Sequence, residues 1–133
     1  MILDEGWSDQ FDLTLQRPDI DVQELVEYAD ERGVKLILWC VWYVLDRQKE
    51  EGLPMFEEWG IAGVKVDFID RDDQIAVNFY EDLTKACAKH KLLVDYHGCS
   101  KPTGLHRMYP NLVNYEGVRG NEYNKFNTGE TPD

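Results

Sequence analysis

Acidic side chains set directly after apolar runs are the residues of this sequence best placed for chemistry. Asp67 closes the run Gly63-Val64-Lys65-Val66 and is followed by Phe68. A carboxylate there projects from the end of a strand, not from a helix face. Glu116 and Glu122 follow the last apolar run, Leu112-Val113-Asn114, and sit among Gly117, Gly120, Asn121 and Asn124. Such a loop is able to fold its acids back over the strand ends. Two carboxyls converging from different strands supply the parts for cleaving a glycosidic bond: one attacks or activates water, the other protonates the leaving oxygen. Stray Asp and Glu abound in an acidic chain, so spacing alone is a weak signal. Lys65 lies two residues before Asp67 and shares its face of the strand, while Val64 and Val66 occupy the opposite face, toward helices. A cation beside a carboxylate keeps that carboxylate ionised, as a nucleophile requires. The plainer alternative for Lys65 is a solvated strand-end lysine.

These residues need a scaffold that sends several strand ends to one place. Asp21 is a good helix N-cap with Glu24 as its capping-box partner, and Val22, Leu25, Val26 and Ala29 follow as an amphipathic stripe. Gly33 supplies a left-handed stop. Val34 to Trp39 then reads as a buried parallel strand. A broken helical region, interrupted by Gly52 and Pro54, ends at Trp59-Gly60. A strand over 63–68, a helix over 73–89, a strand over 92–96 and a short strand over 112–114 complete the pattern, and the stretch 116–133 reads as an exposed or lid-like loop.

Strands alternating with helical crossovers imply an α/β fold with a parallel sheet. A doubly wound sheet lacks its glycine-rich phosphate turn here. Polar residues at several strand ends (Asp4-Glu5, Asp67, His97 and Glu116) favour a (β/α)8 barrel, which places its chemistry there. A whole barrel needs about 250 residues, so a chain of 133 residues is expected to be a partial TIM barrel, approximately strands 2 to 6.

Composition narrows the partners. Hydrophobic residues make up 43% and charged residues 30%, a globular balance. The net charge of −12, from 26 acids and 14 bases, argues against nucleic acid and against an anionic membrane surface. No apolar run approaches the roughly 20 residues that span a bilayer. Met1 leads straight into Ile2-Leu3-Asp4-Glu5, which reads as the end of a strand, so a signal peptide is not expected in this stretch. Cys40, Cys87 and Cys99 have no zinc spacing and read as buried small hydrophobes. The four Trp and seven Tyr suit a core, and some of them suit the apolar face of a sugar.

Read together, these segments resemble glycoside hydrolase family 97. The resemblance is carried by Gly63-Val64-Lys65-Val66-Asp67-Phe68-Ile69-Asp70-Arg71-Asp72-Asp73-Gln74 and by Tyr96-His97-Gly98-Cys99-Ser100-Lys101-Pro102-Thr103-Gly104-Leu105, followed by Tyr109-Pro110-Asn111-Leu112. Tyr115-Glu116-Gly117-Val118-Arg119-Gly120-Asn121-Glu122-Tyr123-Asn124-Lys125 completes it, and Leu3-Asp4-Glu5-Gly6-Trp7 is similar to the motif on an earlier strand. The family is bacterial and calcium-dependent and acts on α-glucosides or α-galactosides. The resemblance implies a periplasmic or secreted protein whose barrel lies between two β-rich domains absent from this chain.

The family has two branches. Its inverting α-glucosidases place base glutamates in the segments matching Trp39-Cys40-Val41-Trp42 and His97-Gly98, where this sequence has no carboxylate. The retaining branch has an aspartate nucleophile in its Lys-Val-Asp motif, matched by Asp67, and an acid/base glutamate matched by Glu122. Glu116 then matches a calcium ligand, and Glu5, Lys65 and His97 match residues that hold sugar hydroxyls. The resemblance therefore implies a retaining α-galactosidase. An α-glucosidase of the same family, or a silent barrel piece that binds sugar or calcium or self-associates through open sheet edges, remain the alternatives. The barrel reading predicts that Glu5, Lys65, Asp67 and His97 converge at one end of one sheet.

Overall fold

A computed structural model describes residues 1–126 and Gly129. Strand β1 (Ile2–Leu3) leads through a long loop to helix α1 (Val22–Asp30). Asp21 caps that helix as its side chain accepts the Glu24 N–H, and Val22, Val26 and Ala29 are its buried face. The elements β2 (Ile37–Val41), α2 (Trp42–Glu58), β3 (Gly63–Asp67), α3 (Gln74–Lys89), β4 (Leu93–Tyr96) and β5 (Leu112–Tyr115) follow, with short 3-10 turns at Leu105–Arg107 and Asn121–Lys125. Asp73 caps α3 by accepting the Ala76 N–H. The connection from β4 to β5 carries only a 3-10 turn among its described residues.

Two elements differ from their sequence reading. Strand β2 begins at Ile37, not Val34, because Val34 is spent in closing α1: its N–H bonds the Ala29 carbonyl, beside Gly33 at φ +68°. Pairing starts where Ile2 offers a partner to Ile37 and continues to Val41 against Asp67. Helix α2 runs unbroken through Gly52 and Pro54. Pro54 faces solvent, where the carbonyl that loses its partner can bond water. On the inner face Leu45, Leu53 and Phe56 are buried, with Phe56 packed edge-on against Trp7 at 5.8 Å between ring centroids. Tertiary burial outweighs the local helix breakers.

All five strands are parallel and their spatial order follows the sequence, β1 to β5. Among the described residues the order has no reversal and hence no switch-point crevice of a doubly wound sheet. The arrangement is a sector of a (β/α)8 barrel, with β1 and β5 at the edges of the described sheet. The register aligns Leu38, Val64 and Val94 on one face and Trp39, Lys65 and Asp95 on the other. The first set is fully buried, as are Cys40, Val66 and Tyr96 beside it and Phe79, Leu83 and Cys87 on α3. The second set faces the barrel interior. No helix of the described residues is long and apolar enough to cross a membrane.

Adjacent strands approach closely at the foot of β3. A Cβ built on Gly63 would lie 2.5 Å from the Leu93 carbonyl oxygen, which belongs to the neighbouring backbone and has little freedom to yield. Gly63→Ala is therefore expected to destabilise the protein by about 1–3 kcal/mol, the usual cost of overpacking. A lower urea midpoint at unchanged slope would report it, and an unchanged midpoint would refute the close packing.

Candidate functional site

Strand β3 ends in Asp67, which is buried, with its carboxylate facing the barrel interior. Phe68 then takes φ +62°, a left-handed conformation uncommon for a side chain of its size. That turn aims the Phe68 N–H back at Asp67 Oδ1, 2.6 Å away. The Trp39 indole on β2 donates to Asp67 Oδ2 at 2.9 Å, and His97 Nδ1 lies 3.0 Å from the same oxygen. Side chains from three consecutive strands, Trp39 within β2, Asp67 at the end of β3 and His97 just after β4, thus meet on one carboxylate.

His97 continues the chain of contacts. Its Nε2 lies 3.1 Å from Glu116 Oε2. A neutral ring donates to one of the two carboxylates and an imidazolium to both. Glu116 leaves β5 with its N–H on the Tyr96 carbonyl at 2.7 Å, and its own carbonyl accepts the Cys99 N–H at 3.2 Å. Gly117 makes this approach feasible, since a Cβ there would lie 3.0 Å from both Lys101 Cα and the Ser100 carbonyl oxygen. Glu122, exposed on the Asn121–Lys125 turn, comes back to the same place: donor atoms of His97, Glu116 and Glu122 all lie within 4.8 Å of one another.

Lys65 and Glu5 sit apart from Asp67. Lys65 was expected beside the Asp67 carboxylate, but its Nζ donates instead to Asp4 Oδ2, 2.9 Å away at the end of β1. Burial raises the Asp4 pKa, but the Lys65 and Glu5 donors and the charges of Lys65 and His97 outweigh it and leave Asp4 below its ordinary value. Glu5 is exposed, with its N–H on Asp4 Oδ1 at 2.9 Å. Even so, Glu5, Lys65, Asp67, His97, Glu116 and Glu122 all line one cavity of about 1070 Å³. The convergence expected from the strand ends holds.

Three features escaped the sequence reading. Trp39 looked like core, yet its N–H reaches Asp67. Asp4 is the partner of Lys65, and its place at the end of β1 was the available signal. Cys99 is only half-buried and lines the cavity, unlike Cys40 and Cys87. Burial, reinforced by the charges of Glu116, Asp95 and Asp67, pushes its thiol up to about 11, so Cys99 is no competing nucleophile at neutral pH.

Gly98 explains how the carboxylate on β3 fits. It adopts φ +52°, and a Cβ built on it would lie 3.1 Å from Asp67 Oδ1. A side chain there would strain the left-handed backbone and push the Asp67 carboxylate aside by a few tenths of an ångström.

A barrel sector that gathers the carboxylates of Glu5, Asp67, Glu116 and Glu122, a lysine and a histidine around one cavity defines part of a barrel enzyme's catalytic face. The chain belongs to glycoside hydrolase family 97, whose sequence model matches residues 1–118. It is 45% identical over 130 residues to a retaining alpha-galactosidase of Bacteroides thetaiotaomicron, covering 96% of this chain and 20% of that protein. A probable retaining alpha-galactosidase of Streptomyces bingchenggensis is 39% identical over 139 residues, covering 98% of this chain and 21% of its own length. The chain thus spans about a fifth of the length of these curated relatives. Among solved structures, a glycoside hydrolase family 97 enzyme of Pseudoalteromonas sp. strain K8 in complex with acarbose superimposes with a TM-score of 0.84 at 28% identity, over 96% of this chain and 24% of the other. A beta-arabinopyranosidase superimposes with a TM-score of 0.76 at 30% identity, over 95% and 21%.

The Asp4–Lys65 pair gives a pH test. Because the folded-state pKa of Asp4 is depressed, its contribution to stability is present above the unfolded value and is lost as pH falls through the folded one. Asp4→Asn is expected to flatten the acid loss of stability below about pH 4, read as urea midpoints between pH 5 and pH 2. An unaltered acid profile would show that the pair contributes nothing.

Proposed function

We propose that this chain carries the catalytic face of a retaining α-galactosidase, with Asp67 as nucleophile and Glu122 as acid/base. One observation carries the reading: Asp67 ends β3 inside the cavity, and its neighbour at position 98 is a glycine, where even a Cβ would press on Asp67 Oδ1 at 3.1 Å. The names of the curated relatives support it. In the first step an Asp67 carboxylate oxygen bonds to the anomeric carbon while the glycosidic bond breaks, its electrons leaving on the oxygen that Glu122 protonates. In the second, Glu122 takes a proton from water as that water bonds to the anomeric carbon and releases Asp67. Lys65, His97 and Glu5 hold the sugar hydroxyls, with Lys65 oriented by Asp4.

Calcium is the cofactor we assign. Glu116 offers the carboxylate oxygens that a hard cation prefers and lies with His97 and Glu122 within 4.8 Å. The imidazole suits calcium less and is already engaged, and Glu122 is kept for the acid/base role beside the ion. The ion would supply positive charge that lowers the pKa of nearby acids. Chelation is expected to reduce activity and added calcium to restore it; indifference to chelator would remove the ion from the reading.

In the full-length protein, Asp67→Ala is expected to cut hydrolysis of 4-nitrophenyl α-galactoside by more than about 10³-fold, with partial rescue by azide as an external nucleophile. Retained activity would reassign the nucleophile. Two displacements at the anomeric carbon return the α-sugar, so proton NMR of the first minutes should show α-galactose. Early β-sugar would overturn retention, and faster release from the α-glucoside would overturn the galactoside assignment.

A further inference from the structure

The Trp39 ring is buried, so its indole N–H needs an acceptor inside the protein, and the acceptor it has is Asp67 Oδ2 at 2.9 Å. Two neighbours hold the residue for that contact. The Trp39 backbone is held as its carbonyl accepts the Trp7 indole N–H at 2.7 Å. The side chain is met edge-on by the Phe68 ring, 5.8 Å between centroids and 81° between planes. Phe68 can lie there because of its left-handed backbone, and the same turn sends its N–H to Asp67 Oδ1.

We propose that Trp39 is a positioning residue for the nucleophile, anchoring Asp67 Oδ2 so that the carboxylate keeps one orientation toward the anomeric carbon. The proposal rests on Asp67 being the nucleophile. Phe68 serves the same end by clamping the indole. The third contact to Asp67, from His97, comes from a ring that also reaches Glu116, so it shifts with whatever happens at Glu116 and Glu122. Trp39 touches no group beyond Asp67 with its N–H and supplies the constant part of the orientation. Near-attack geometry is what such a contact preserves.

The test uses the full-length protein. Trp39→Phe removes the donor, and 3-benzothienylalanine at position 39 replaces the N–H by sulfur while keeping the bicyclic shape, which guards against a folding defect. Both are expected to slow covalent labelling by 5-fluoro-α-galactosyl fluoride, followed by intact mass, by about 10- to 100-fold, the rate equivalent of one hydrogen bond to a charged acceptor. The loss should fall on kcat, with the galactose inhibition constant within about threefold of the parent, a margin below the energy of one such bond. Wild-type labelling by the benzothienyl protein would overturn the proposal. So would a loss expressed in KM and galactose affinity alone, which would make Trp39 a sugar contact. Asp67→Ala run alongside separates the two readings: if it stays active the nucleophile is misassigned, whereas if it is dead and both Trp39 variants label normally, only the positioning role fails.

Discussion

The pairing of β3 with its two neighbours leaves the central strand no choice of face. Val64 and Val66 are fully buried toward the helices, so Lys65 and Asp67, alternating with them, must point into the barrel. A slip of one residue would drive both charges into the helix-side core and carry the two valines out. An unpaired charge in that core is strongly unfavourable, so the register is locked from both sides. Asp67 therefore stands beside Val41 of β2 in fixed alignment, and the middle of β2 and the end of β4 bring Trp39 and His97 onto the same carboxylate oxygen. The geometry at the site is a consequence of strand register before it is a matter of side-chain choice.

The outer half of the site is built differently. Glu116 and Glu122 lie on backbone without regular partners, yet Glu116 is fixed by strand-like bonds to Tyr96 and Cys99. The loop below it is pinned where the Ser100 N–H meets the Tyr80 hydroxyl at 3.1 Å. Tyr80 in turn packs on Tyr96 at 4.8 Å between centroids. An edge-to-face pair of buried tyrosines thus carries the rigidity of the sheet out to the loop. Glu122 lies one turn farther on and is exposed, which is compatible with the acid/base role proposed for it.

Much of this was written in local patterns. Apolar runs ending in polar residues marked β3 and β4 and placed Asp67 and His97 at one end of the sheet, and the caps at Asp21 and Asp73 marked two helices. What was not legible depended on distant partners. Lys65 sits beside Asp67 in sequence but bonds Asp4, 61 positions away; only the neighbouring strand reveals that. Trp39 reads as an apolar residue because burial and a directed N–H look the same in a sequence. The breakers Gly52 and Pro54 end a helix by local rules, and α2 survives them because Phe56 and Leu53 are buried against the rest of the chain. The stretch 116–133 showed no period, and of it the short turn at Asn121–Lys125 is now defined; residues 127–128 and 130–133 lie outside the described set.

Gly98 also bears on how the site tolerates change. Its backbone is left-handed, and a Cβ there would lie 3.1 Å from Asp67 Oδ1. A side chain at position 98 would therefore combine backbone strain with a displacement of the carboxylate by a few tenths of an ångström. An acid gained there while Asp67 remained would add like-charge repulsion to that crowding. Glycine at position 98 and the present orientation of Asp67 are therefore features that change together.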